Sequence, residues 1–167
     1  MGKLHLYPKK ETIEFIKACQ HKNGGFGGSI RHDPSMTSTH YAILILLQLD
    51  SIDIIDADQV ASFIKSLQQE DGSFRSDYLG ESDTRFAYCA GSCLRLLNRL
   101  NYINMNKANE WILSCQNFDG GFGGIPGAES HAAFTFCAVG YLGTTDNLDL
   151  VNIELLSKLI NLTTIKI

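Results

Sequence analysis

No stretch of this sequence approaches the roughly 18–20 consecutive apolar residues that a membrane-spanning helix needs. The longest, Ala42–Leu47, reads as part of a buried helix. A basic surplus is also missing. The formal net charge is −4, so neither a nucleic acid nor an anionic membrane is favoured, and a soluble partner is expected. Paired cysteines of the C-x-x-C kind do not occur among Cys19, Cys89, Cys93, Cys115 and Cys137. Their number is odd and each sits in an apolar helical pattern, which points to reduced thiols in a core. Cys89 and Cys93 share a helix face, but no third metal ligand stands near them. Met1–Pro8 carries no signal-peptide pattern, so the expected compartment is the cytosol. The remaining composition is ordinary: 44% hydrophobic over 167 residues, enough for one domain with its own core.

What the sequence does have is a repeat. Gln20, Gln68 and Gln116 follow one another at intervals of 48 residues, as do Gly24, Gly72 and Gly120, and Phe26, Phe74 and Phe122. The three turns read QHKNGGF, QQEDGSF and QNFDGGF. Before each turn lies an apolar stripe at helical spacing: Thr12, Phe15, Ile16 and Cys19; Val60, Phe63, Ile64 and Leu67; Ala108, Trp111, Ile112 and Cys115. Lys17, Lys65, Lys107 and Glu110 mark the opposite, solvated face. After each turn, Tyr41–Leu49, Phe86–Leu97 and Ala132–Leu142 are apolar almost all round and are expected to be buried on every side.

Each repeat is therefore a half-exposed outer helix, a Gly-rich turn and a buried inner helix. Stacked, such units make an all-α, partial α/α barrel or toroid in one domain. The repeats are expected at about 9–50, 57–101 and 105–145, with an incomplete fourth at 150–167. In that fourth copy Leu156, Leu159 and Ile160 fit the outer-helix register. Thr164 stands where the turn glutamine belongs, and Asn161–Ile167 holds no glycine turn. An apolar end left open in this way needs a partner to cover it.

The inner helices open on Ser38-Thr39-His40, Asp83-Thr84-Arg85 and Glu129-Ser130-His131. Helix amino ends carry free N–H groups and the positive end of the dipole, so three aimed at one hollow would attract an anion. His40, Arg85 and His131 read as one register, suited to a diphosphate. Tyr41, Phe86, Tyr88, Phe134, Phe136 and Cys137 would form greasy walls beneath. Plainer readings stand beside these. His131 can be a satisfied structural histidine, Arg85 can be a buried ion pair with Glu81 and Asp83, and His32-Asp33-Pro34 can be a turn. The GGFGG turns lack the Lys-Ser/Thr of a phosphate loop, so their glycines serve close packing.

LQQEDGSF, GESDTRFAYCA, SCQNFDGGFGG and PGAESHAAFTFC resemble the β-subunits of protein prenyltransferases, over roughly Lys3–Leu156. IRHDPSMTSTHYA, DTRF and ESHAA are most similar to the Rab-type (type II) geranylgeranyl subclass. The resemblance implies transfer of geranylgeranyl from geranylgeranyl diphosphate to C-terminal cysteines of Rab GTPases. It also implies an α-subunit and a Rab escort protein as partners. On it, His131 with Ala132 and Ala133 meets the diphosphate, and Arg85 lines the cavity near lipid and substrate. Tyr88, Cys137, Phe134, His40 and Tyr41 lie along the lipid channel. His40 departs from the aromatic or aliphatic residue usual at its position.

The chemistry implied is zinc-assisted thiolate attack on the isoprenoid. The family's ligands, an Asp and a Cys in a D-x-C segment plus a His, have no counterpart here, since D-x-C is absent. The Arg and Lys that complete the diphosphate site, and the inner helix usual before the Thr12 repeat, are missing as well. No metal site is therefore expected in this chain, and it is expected to be part of a larger machine, without turnover alone. Two rivals remain. One is a non-catalytic α/α-repeat binding remnant. The other is a terpene-cyclase-like enzyme, for which Asp53–Asp58 (DIIDAD) is the nearest acidic candidate but lacks the D-x-D-D pattern.

Overall fold

In the computed structural model, which describes residues 8–157, a glycine in each turn sets how closely neighbouring repeats approach. Gly24, Gly72 and Gly120 have φ of +94°, +96° and +87°. A Cβ on them would lie 2.3 Å from the Gln59 carbonyl oxygen, 2.2 Å from that of Lys107 and 2.4 Å from that of Leu155. Both the left-handed backbone and the contact demand glycine. Each turn thus seats against the start of the next outer helix, which is why the period is strict.

The outer helices are α1 (Lys9–Ala18), α3 (Ala57–Ser66) and α5 (Met105–Ser114); the inner ones are α2 (Met36–Gln48), α4 (Thr84–Leu96) and α6 (Ala132–Thr144). Inner helix α4 packs between α2 and α6. Two short strands, β1 (Phe26–Gly27) and β2 (Pro34–Ser35), pair antiparallel and pin the first turn; the bridge between Arg75 and Ser82 repeats the device. Of His32-Asp33-Pro34, only His32 closes the turn, donating its N–H to the Ser29 carbonyl; Pro34 already opens β2.

The caps repeat every 48 residues. Asp56, Asn104 and Asn152 side chains accept backbone N–H groups at the start of successive outer helices. Ser35, Asp83 and His131 do so for the inner ones, each cap contributing about 1 kcal/mol. Inner helices end where Asp50, Asn98 and Asp146 adopt φ of +48°, +55° and +60°, the left-handed region that Asp and Asn tolerate. Hydrogen bonds also run between repeats: Met36 N–H donates to the Ser76 carbonyl at 2.7 Å and Thr84 N–H to that of Gly124 at 3.0 Å. Phe26, Phe63, Phe74 and Phe122 are fully buried between the layers.

Two expectations need correction. The inner helices are not buried all round: Tyr41 is 62% exposed and Phe136 63% exposed, because among the described residues no helix covers those faces. In the first outer helix only Ile16 and Cys19 of the four stripe residues are buried, and Phe15 is half exposed, since a neighbouring repeat lies on one side only. Residues 153–157 are helical, and Leu156 takes its place in the outer register. Leu159, Ile160, Thr164 and the rest of Asn161–Ile167 lie outside the described residues.

Candidate functional site

The amino ends of α4 and α6 meet over one ring. Asp83 caps α4 by accepting the Arg85 N–H at 2.8 Å, and the same carboxylate takes the Arg85 Nε–H at 3.0 Å. Glu81 accepts from Arg85 Nη2 at 3.0 Å. These partners push the Arg85 pKa up, chiefly through the Asp83 hydrogen bonds, so the guanidinium stays charged. Its side chain remains 46% exposed. Of the two readings open from the sequence, the ion pair is there, but it is not a buried one.

From this tether the guanidinium carbon lies 5.8 Å from the centre of the Phe134 ring. The His131 ring also neighbours Phe134, ring centres 5.5 Å apart. Phe134 itself rests on Gly124, where a Cβ would come within 3.0 Å of the ring. Arg85 and His131 therefore both neighbour the Phe134 ring, and His131 is exposed. His131 Nδ1 accepts the Ala133 N–H at 3.1 Å. In the neutral ring this leaves the proton on Nε2, a donor free of that bond.

Below this rim runs an aromatic ladder across three inner helices. The Phe136 and Tyr88 rings are 5.4 Å apart, and those of Tyr88 and His40 5.8 Å apart, both edge-to-face, a geometry worth about 0.5–1.5 kcal/mol per pair. Tyr88 packs against Gly140, whose missing Cβ would meet the ring at 2.9 Å. Cys137, half-buried, lies near Cys89, Asp83 and Arg85, and burial raises its pKa. Among the described residues no three His, Cys, Asp or Glu side chains gather to hold a metal. Burial pushes Cys89 and Cys115 up to about 12, so neither offers a thiolate. The donor set present does not fit zinc.

The expected register of His40, Arg85 and His131 is wrong. The structural equivalents are Ser35, Asp83 and His131 as caps, and His40, Tyr88 and Phe136 as ladder positions. His40 is no rim cation: it is 6% exposed, hydrogen-bonded through Nε2 to Ser92 Oγ at 3.1 Å, and burial lowers its pKa. Tyr41 leaves the wall as well. It lines a cavity of about 220 Å³ between α1 and α2 with Phe15, Cys19 and Ile45. Ala133 spends its N–H on His131, while Ala132 and Ala133 are exposed at the α6 rim. Ser130 does not cap α6 but donates to Asp119. Sequence reasoning missed Gly140 as part of the wall; a glycine in the interior of an apolar helix was the signal. Two of the three acids of DIIDAD are engaged elsewhere, Asp56 capping α3 and Asp58 paired with Arg99 at 2.6 Å.

A family model described as the prenyltransferase alpha-alpha toroid domain matches residues 1–163. The chain belongs to this family. Among curated relatives of this toroid chain, a probable geranylgeranyl transferase type-2 subunit beta of Dictyostelium discoideum is 51% identical over 43 residues, 26% of this chain and 13% of that protein. The geranylgeranyl transferase type-2 subunit beta 1 of Arabidopsis thaliana is 47% identical over 46 residues, 28% of this chain and 14% of that one. In architecture the toroid is similar to Candida albicans protein geranylgeranyltransferase-I complexed with GGPP, with a TM-score of 0.71 at 24% identity. That likeness covers 92% of this chain and 50% of the other. The prenyltransferase toroid thus spans half the length of its solved neighbour. No helix among its described residues is long and apolar enough to cross a membrane.

Proposed function

We propose that this toroid binds an isoprenoid diphosphate, as part of the β-subunit of a geranylgeranyltransferase of the Rab type. One observation carries the reading: Arg85 and His131 both neighbour Phe134 at the rim of an apolar, aromatic wall. A diphosphate needs cationic and N–H donors at one point, and its lipid tail needs a long apolar surface leading away. Arg85 supplies the charge, His131 Nε2–H a donor, and the exposed amino end of α6 at Ala132 and Ala133 the dipole. Tyr88, Phe136 and Cys137 offer the tail its surface. These residues bind and orient the lipid.

The names of the two curated relatives, geranylgeranyl transferase type-2 subunit beta, support geranylgeranyl as the lipid. C-terminal Rab cysteines as the acceptor, and an α-subunit and escort protein as partners, are proposed with it on the resemblance of IRHDPSMTSTHYA, DTRF and ESHAA. The chain by itself is proposed not to turn over, and cytosol is its proposed compartment. A photoreactive geranylgeranyl diphosphate analogue tests the reading. Cross-links should map to α4 and α6 around Tyr88 and Phe136. Labelling on the convex face of α3 and α5, or none above a lipid-alcohol control, would overturn it.

A further inference from the structure

His131 is held by the turn that precedes it. Its N–H donates to the Phe122 carbonyl at 3.1 Å, and its ring caps α6 through Nδ1. Between Phe122 and His131 the chain makes a loop, 123–130, that folds back over the third turn. A Cβ on Gly123 would come within 2.4 Å of the Ala128 carbonyl oxygen, so the loop lies directly on the turn.

Three side chains tie the loop down. Asn117 Nδ2 donates to the Ala128 carbonyl and to Ser130 Oγ, both at 2.9 Å. A carbonyl can only accept, which fixes the amide's orientation, and Ser130 is then left to send its own proton elsewhere. It donates to Asp119 Oδ1 at 2.7 Å. That oxygen also takes the Gly121 N–H at 2.9 Å, so the network is anchored on the turn's backbone. All three side chains are half-buried, where hydrogen bonds hold better than in open water.

The 48-residue period separates what is common here from what is special. Position 117 corresponds to 21 and 69, 119 to 23 and 71, and 130 to 34 and 82. Asn23, Asp71 and Asp119 all accept the N–H two residues on, the turn's own bond. The tie from turn to loop occurs twice: His21 Nε2–H donates to the His32 carbonyl at 2.8 Å, as Asn117 does to Ala128. The hydroxyl link belongs to the third repeat. Pro34 has no hydroxyl to offer, and among the described residues Asp71 accepts no side chain. Two repeats fold without this link, and the one that has it is the one capped by an exposed histidine.

We propose that Ser130, together with Asn117 and Asp119, is a positioning residue for His131, keeping its Nε2–H donor in place at the α6 rim. This rests on the reading of that rim as a diphosphate site. The three side chains act through His131 and not on the ligand: they fix the backbone from which the ring projects, so less freedom is lost when an anion binds.

Ser130→Ala tests this, with Ser130→Thr as the variant that keeps the hydroxyl. In the lipid-free chain, hydrogen exchange of the Ala133 amide reads the His131 cap. It should quicken roughly threefold or more in Ser130→Ala, the lower range of one net hydrogen bond, and return to the native rate in Ser130→Thr. Geranylgeranyl diphosphate should bind Ser130→Ala about three- to tenfold more weakly, with unchanged affinity for the uncharged alcohol. On a His131→Ala background the same change should weaken binding no further, as expected for residues that act as one unit. An unchanged Ala133 exchange rate, or equal losses with and without His131, overturns the proposal. Quickened exchange in a chain that binds no diphosphate even when intact would confirm the tether and overturn the diphosphate reading instead.

Discussion

Gly72 and Lys107 touch backbone to backbone, and nothing larger than a hydrogen fits between them: a Cβ on Gly72 would lie 2.2 Å from the Lys107 carbonyl oxygen. With φ at +96°, Gly72→Ala meets both a strained backbone and a clash. A loss of about 2–4 kcal/mol is expected, read as a lower urea midpoint. Gly143→Ala is the contrasting control. In the open, at ordinary helical φ, it should gain about 0.5–1 kcal/mol. Equal effects at the two sites would undo the packing account of the turns.

His40 makes stability depend on pH. Burial holds its pKa below the ordinary value, so the unfolded ring binds a proton more readily than the folded one. Stability is therefore full above the ordinary value of about 6.5 and is lost as pH falls from there towards the lower folded pKa. His40→Asn, which keeps a polar partner for Ser92, should flatten that part of the profile. Urea midpoints at pH 7.5 and 5.5 for both proteins provide the check; identical slopes would count against it.

Thiol reactivity should follow burial. Cys93 is fully buried, with its pKa raised by desolvation, whereas Cys137 is only half-buried. In the native protein an aromatic disulfide reagent at pH 8 should modify Cys137 well before Cys93, and a bound isoprenoid should slow Cys137. Peptide mapping of the labelled thiols decides it. Early labelling of Cys93 would mean that the inner helices are not packed as described.

Asp83 is the negative charge closest to Arg85. It is 7% exposed and does two jobs, capping α4 and pairing the guanidinium. Asp83→Asn keeps a capping side chain and removes the charge. Affinity for an isoprenoid diphosphate should rise, by roughly 2–10-fold on the scale of a partly screened charge near 4 Å. Weaker binding with α4 intact would show that Asp83 positions Arg85 and does more than compete with the ligand.

Much of the fold was legible because it is written as spacing. The glycine, glutamine and phenylalanine at 48-residue intervals gave the turns, and the apolar stripes of α3 and α5 gave the outer layer. The site was less legible, for a physical reason. Helix starts were read from polar residues before apolar runs, yet α2 begins at Met36, so His40 was placed about a turn too early and mistaken for a rim cation. The period itself pairs position 40 with 88 and 136, and it would have given the ladder. That Arg85 and His131 both reach Phe134 depends on how two helices cross, which no spacing along one chain encodes.

Equilibrium binding of geranylgeranyl diphosphate to the full chain tests the central claim most directly, with Arg85→Gln/His131→Ala as the comparison and circular dichroism to confirm folding. Saturable binding by the intact chain is expected, weakened at least tenfold in the double variant while affinity for the uncharged alcohol stays put. Binding that ignores both substitutions, or no binding by the intact chain, would contradict the account.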